Sequence, residues 1–185
     1  NANANVVAST NTQLVDTTNP TVTITDDQSG TADDADATVL YTFTFSEAVT
    51  GFVTGDVTVV GGTKGTFTAS SSTVYTLLVT ADDDSTTSMT VDVAASVATD
   101  SNANANVVAS TNTQLVDTTN PTITITDDQS GTADDADATV VYTFTFSEAV
   151  TGFVTGDITL VGGTRSEERR VGKAGTAVCR SGGAP

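Results

Sequence analysis

Almost every side chain in this sequence that could do chemistry is a carboxylate. The 185 residues contain 23 Asp and Glu against 6 Lys and Arg, with one Cys and no His. Ser-His-Asp and Cys-His catalysis are therefore excluded by inventory, and a zinc site lacks its usual nitrogen and sulfur ligands. Glu47 and Asp56 can be drawn as a general acid and base, but the roles of solvated turn residues account for both. Gly61-Gly62-Thr63-Lys64 lacks the spacing and the following helix of a phosphate loop. What remains is hard-cation chemistry. Oxygen ligands without nitrogen or sulfur select calcium over transition metals, and calcium accepts irregular sites of about six to eight oxygens.

The acids are clustered. Asp33, Asp34 and Asp36 form one group, Asp82, Asp83 and Asp84 a second, and Asp117 follows. These seven are the predicted calcium ligands, with calcium as the expected cofactor. Neither familiar calcium motif is present: Asp33-Asp34-Ala35-Asp36 lacks the Gly and distal Glu of an EF-hand loop, and no Gly/Asp nonapeptide occurs. Asp also makes turns and keeps a surface soluble, so the expectation rests on where the fold brings the clusters.

The elements that must position them come in duplicate. Residues 1–63 return as residues 102–164, and only Val22/Ile123, Leu40/Val141, Val57/Ile158 and Val59/Leu160 differ. All four exchange one aliphatic side chain for another, the substitution a packed core tolerates best. A period of 101 residues is a whole domain rather than a solenoid rung. Asp16-Thr-Thr-Asn-Pro20 recurs as Asp117-Thr-Thr-Asn-Pro121, and Asn-Pro punctuates strands. The predicted domain map is therefore 1–16, the last strand of a preceding repeat; 17–117, a complete repeat; 118–164, the N-terminal half of the next; and 165–185, a tail outside the pattern.

That tail holds five of the six basic residues and the single cysteine, Cys179. Residues 1–164 carry 21 acids and Lys64 alone, a net charge of 1 − 21 = −20. The run Arg165-Ser-Glu-Glu-Arg-Arg-Val-Gly-Lys173 resembles a translated sequencing adapter, so 165–185 is read as non-native and expected to be unstructured. The acidity of the rest argues against nucleic acid and anionic membrane surfaces as partners. No apolar run is long enough for a membrane span.

Within the repeat, alternation of period two predicts strands. Val22 and Ile24 share a face; so do Val39, Tyr41, Phe43 and Phe45. Val57 with Val59, Tyr75 with Leu77 and Val79, and Met89 with Val91 and Val93 follow the same rule. Val107, Thr111 and Leu115 mark a final strand. About seven strands without helices fit an all-β Greek-key sandwich. Alternate loops then share an end: Asp26, Asp27 and the two acidic clusters lie at the end where the chain leaves, at Asp117. Glu47, Asp100, Asn102 and Asn104 lie at the other, near Asp16. In an array the two kinds of end face each other, and a cation would relieve their repulsion.

Tyr41-Thr-Phe-Thr-Phe-Ser-Glu-Ala-Val-Thr-Gly-Phe52, followed by Gly55-Asp-Val-Thr-Val-Val-Gly-Gly-Thr63, resembles the signature of bacterial Ig-like domains. The resemblance implies tandem Ig-like sandwiches in a large secreted or surface adhesin. It implies a non-catalytic stalk or spacer whose partners are neighbouring repeats in the same chain. Two other roles fit the same sequence: an adhesive repeat binding a glycan or host protein by avidity, which an exposed aromatic cluster would favour, and an accessory domain of a secreted hydrolase.

Overall fold

The computed structural model describes residues 11–132, 139–172 and 176–182, with 164–172 and 176–182 described by their backbone alone. The chain divides into two compact units, Asn1–Thr119 and Asn120–Pro185. Among the described residues all regular structure is β, apart from two three-residue 3-10 turns.

In the first unit the alternating segments become strands as expected. They are β1 (Val22–Asp26), β2 (Ala32–Asp33), β3 (Thr38–Phe45), β4 (Val57–Val60), β5 (Gly62–Ala69), β6 (Val74–Ala81), β7 (Met89–Val93), β8 (Asn112–Gln114) and β9 (Val116–Asp117). One sheet has the order β1-β3-β6-β5 and the other β4-β7-β8, with antiparallel neighbours throughout. β2 and β9 form a short parallel pair of their own. The inward residues of both sheets make a single core, from Val39, Tyr41, Phe43 and Phe45 across to Met89, Val91 and Val93. Phe52 is the hub of the aromatic part, with ring contacts of 5.1–5.7 Å to Phe43, Phe45, Phe67 and Tyr75. The Tyr41 hydroxyl is buried without a hydrogen-bond partner. Its burial first, then Asp26 and Asp27, push its pKa up to about 12.

Two strands differ from the sequence pattern. β5 begins at Gly62, where the glycine pair reads as a turn, because the chain changes sheets there. Gly61 takes φ +75°, and a Cβ on Gly62 would lie 2.7 Å from Met89 Sδ and 2.8 Å from the Thr80 carbonyl oxygen. Only glycine lets the backbone pass this close. The closing segment inverts its apolar face: Val107 and Leu115 are exposed, whereas Asn106, Gln114, Val116 and Thr118 are buried. Amide side chains face inward because the segment lies over unpaired backbone. Asn106 Oδ1 accepts from the Val97 and Ala98 amides at 2.9 and 2.8 Å, and its Nδ2 donates to the Ala94 carbonyl at 2.9 Å.

The second unit contains β10 (Ile123–Asp127), β11 (Val140–Phe146), β12 (Thr164–Gly172) and β13 (Thr176–Gly182), in the order β10-β11-β13-β12. The β10–β11 register repeats β1–β3 residue for residue: Ile123 opposes Phe146 as Val22 opposes Phe45. The expectation that 165–185 is unstructured does not hold for residues 165–172 and 176–182, since β12 and β13 pair with each other and β13 with β11, while the rest of the tail lies outside the described residues. An open strand edge is a row of unpaired amides and carbonyls that any extended segment can satisfy. The basic tail takes that edge, in the places β5 and β6 hold in the first unit. By contrast residues 158–161 form no strand, although their copy is β4. β4 exists by pairing with β7, and nothing among the described residues of this unit corresponds to β7. The preceding-repeat strand assigned to 1–16 falls partly outside the described residues, and residues 11–16 form no strand.

Gly62→Ala tests the crossing. The new methyl must displace Met89 or the β6 backbone, which costs about 1–3 kcal/mol, and chemical denaturation of the protein reads this as a lower midpoint. A midpoint unchanged from wild type would show that the crossing has slack.

Candidate functional site

The fold brings the predicted calcium ligands to one end of the first unit, as backbone. β2 and β9 place Asp33 opposite Asp117. Thr118 ties the 82–85 loop to the same end: its hydroxyl donates to the Asp82 carbonyl at 2.7 Å and accepts from the Ser85 amide at 3.0 Å. The seven side chains there lie on the surface, and one of them caps a turn. Asp33 Oδ1 caps its own turn, accepting from the Ala35 and Asp36 amides at 3.0 and 3.1 Å. Asp34, Asp36, Asp82, Asp83, Asp84 and Asp117 are exposed, and Asp84 turns its loop with φ +51°. No three carboxylates converge at this end among the described residues.

They converge at the other. Asp16, Glu47 and Asp100 each offer a carboxylate oxygen, all within 4.8 Å of one another, and they are the one such group among the described residues. Three local structures hold them. Asp100 opens a tight loop whose chirality is set by Ala103 at φ +66°. Its Oδ1 accepts from the Asn102 and Asn104 amides, both at 2.8 Å, and its Oδ2 from Asn104 Nδ2 at 2.9 Å. The same loop reaches Asp16: Asn102 Nδ2 donates to Asp16 Oδ2 at 2.8 Å and Asn104 Nδ2 to the Asp16 carbonyl at 3.3 Å. Glu47 follows the end of β3, half-buried.

The electrostatics separate the acids. Hydrogen bonds from Asn104, outweighing burial, hold Asp100 below the usual carboxylate range. Glu47 is pushed up, by burial first and then by Asp100 and Asp16. Among the described side chains no cation is placed against the group. Lys64, the only basic residue in residues 1–164, donates to the Thr54 and Val57 carbonyls at 3.1 and 2.6 Å. The group can therefore do two things: take a proton on Glu47, or take a hard cation on oxygen. The sequence placed Asp16, Glu47 and Asp100 at this end but ranked the other end higher on acid density. The better signal was the Asp100-x-Asn102-x-Asn104 spacing, in which two amides orient one acid and fasten a second.

Among the described residues, the other candidate groups serve the fold. Asp56, drawn as Glu47's partner in acid-base work, accepts the Val53 amide at 2.8 Å and closes the 3-10 turn. Phe52, the loop aromatic available for stacking on a ligand, is 5 % exposed and belongs to the core. Among the described residues no helix is long and apolar enough to cross a membrane.

Comparison with known proteins gives one match. The model of the family described as bacterial Ig-like domain matches residues 16–116 and again 117–177. No curated protein and no solved structure matches the chain.

Glu47→Gln removes one charge from the group and keeps its shape. Glu47 binds its proton more tightly folded than unfolded, so wild type gains stability from this residue as pH falls through the raised pKa. The variant therefore melts higher than wild type at pH 7, and its advantage shrinks as pH drops into the ordinary carboxylate range. An unchanged melting temperature at pH 7 would mean that solvent already screens the three charges.

Proposed function

We propose that this chain, which belongs to the bacterial Ig-like domain family, is a non-catalytic spacer segment of an extracellular, adhesin-type bacterial protein. That it is a structural repeat of a family typically without catalysis, common in surface and secreted proteins, follows from the family. The observation that supports the spacer role is the tandem repetition itself. The two consecutive matches differ at only four positions, all aliphatic, between residues 16–63 of the first and 117–164 of the second. A repeated strut needs no distinct site per copy, whereas a binding repeat needs an exposed recognition feature. The aromatic side chain that could supply one, Phe52, is buried.

The test is excision of residues 17–117, one full period, from the surface protein that carries them. A spacer leaves binding by the rest of the protein intact and shortens its reach from the cell by one domain. Loss of binding with reach preserved would instead identify the repeat as the adhesive element.

Calcium is the cofactor we propose for these repeats. Support comes from the oxygen-only inventory and from the repulsion that Glu47 suffers from Asp100 and Asp16. Extracellular modules bind calcium with Kd of about 10⁻⁴–10⁻³ M. At 100 times Kd, one site adds about 2.7 kcal/mol to stability. Melting in calcium against chelator reads that difference, and variants divide the ends. Asp16→Asn with Asp100→Asn abolishes it if the three-acid group binds. Asp82→Asn with Asp83→Asn abolishes it if the predicted ligands do. A melting temperature indifferent to calcium rejects both.

A further inference from the structure

We propose that the first unit binds an internal water molecule in a polar corner of its core, where the water joins the Tyr41 hydroxyl to the Asn112 side-chain oxygen. Among the described residues, these two are the buried side-chain polar atoms that lack a hydrogen-bond partner. Three strands bring them to Asp26. Val22, Ile24 and Asp26 follow one another along the inward face of β1, and the register sets Asp26 opposite Tyr41 of β3. Side chains facing each other in such a pair stand about 4.5–5.5 Å apart at Cβ. From the other sheet, Asn112 of β8 reaches across the seam. Its Nδ2 donates to Asp26 Oδ2 at 2.9 Å and to the Ile24 carbonyl at 3.3 Å. After burial, it is Asp26 and Asp27 that push the Tyr41 pKa up, so the hydroxyl lies within reach of their charge.

The chemistry of the two atoms selects the guest. With a pKa of about 12 the Tyr41 phenol keeps its proton at neutral pH, so it has a donor to place. Asn112 Oδ1 can only accept. Its orientation is fixed, because both atoms that Nδ2 meets are acceptor oxygens, so a flipped amide would set oxygen against oxygen. The guest must therefore accept from Tyr41 and donate to Asn112. Water does both and keeps a second proton for the Asp26 carboxylate. A bare cation offers the phenol proton no acceptor, and an apolar filling serves neither atom. Buried waters typically make about three hydrogen bonds to polar groups that would otherwise go unpaired, and Tyr41, Asn112 and Asp26 supply that set.

Bound there, the water is a tie between the two sheets. It couples β3 to β8, which Asn112 already couples to β1. The closing strand needs such ties, because β8 pairs with β7 through Met89–Gln114, Thr90–Thr113 and Val91–Asn112 alone. A bridging water is nearly as good enthalpically as a direct hydrogen bond, so the seam is held by solvent where side chains do not meet. The second buried tyrosine shows the contrast. The Tyr75 hydroxyl donates directly to the Val49 carbonyl at 3.2 Å and calls for no bridge.

Oxygen-17 relaxation dispersion on the whole chain counts the waters held long enough to be internal. Tyr41→Phe removes the hydroxyl and keeps the ring, and Tyr75→Phe does the same at the tyrosine already bonded to protein. Expected is a long-lived water in wild type that is lost from Tyr41→Phe and retained in Tyr75→Phe. A crystal structure of the wild-type protein, at a resolution that shows ordered solvent, decides the point even where Tyr41→Phe does not fold. It places a water within hydrogen-bond distance, about 2.5–3.2 Å, of both Tyr41 Oη and Asn112 Oδ1. The proposal is overturned if folded Tyr41→Phe keeps the wild-type count, or if Tyr75→Phe lowers it equally. A crystal structure in which Tyr41 bonds Asn112 or Asp26 directly, with no water between, overturns it as well.

Discussion

The first unit depends on β3. It is hydrogen-bonded to β1 on one side and β6 on the other, and it gives the core Val39, Tyr41, Phe43 and Phe45, all buried. An aromatic side chain covers about 150–250 Å². At about 25 cal/mol per Å² that is about 4–6 kcal/mol each before entropy is charged against it. Burial on that scale needs a second layer, which β4 and β7 provide. The second unit shows the dependence from the other side. β11 keeps the register of β3 and pairs on both edges, yet Ile123 is 44 % exposed where Val22 is 6 %. Pairing satisfies the backbone of a sheet; a facing sheet is what buries its side chains.

That division explains how much of the fold was legible in the sequence. β1, β3, β4, β6 and β7 are buried on one face, so their alternation reports the core directly. β5 has no such pattern, since most of its residues are exposed; it forms on the free edge of β6. The same holds for β12 and β13, whose basic composition says nothing of strand. Strands that form because a neighbour's edge is open are specified by the neighbour. The closing segment fails differently. It lies over backbone groups at Gly30, Ala94, Val97 and Ala98 that lack sheet partners, and Asn106 and Gln114 serve them. An apolar/polar pattern reads such a strand backwards.

The three-acid group was half legible for a related reason. Composition shows where acids are dense, and dense acids in turns cap their own amides, as Asp33 does. Convergence needs acids from distant parts of the chain. Asp16 and Asp100 meet through bonds between residues 86 and 88 positions apart, and that closure follows from the Greek-key path. Asn102 and Asn104 hold the pair close against its own repulsion, which leaves Glu47 as the member that carries the strain.

The two copies show which parts of the design tolerate change. All four differences between residues 1–63 and 102–164 fall on aliphatic strand positions, and every acid of the first copy stands unchanged in the second. Two of the four, Val22 and Val57, are buried in the first unit, and Leu40 and Val59 are half-covered. Packing absorbs a methyl moved along a side chain, because neighbours can shift by a fraction of an ångström. The charged turns have less freedom: an Asp that caps an amide or faces two other acids is fixed by one hydrogen-bond geometry. Near-identity also makes each strand a competitor for its copy's place, the hazard by which tandem repeats misassemble. The net charge of −20 over residues 1–164 works against that hazard, since unfolded segments of like charge repel before their strands can meet.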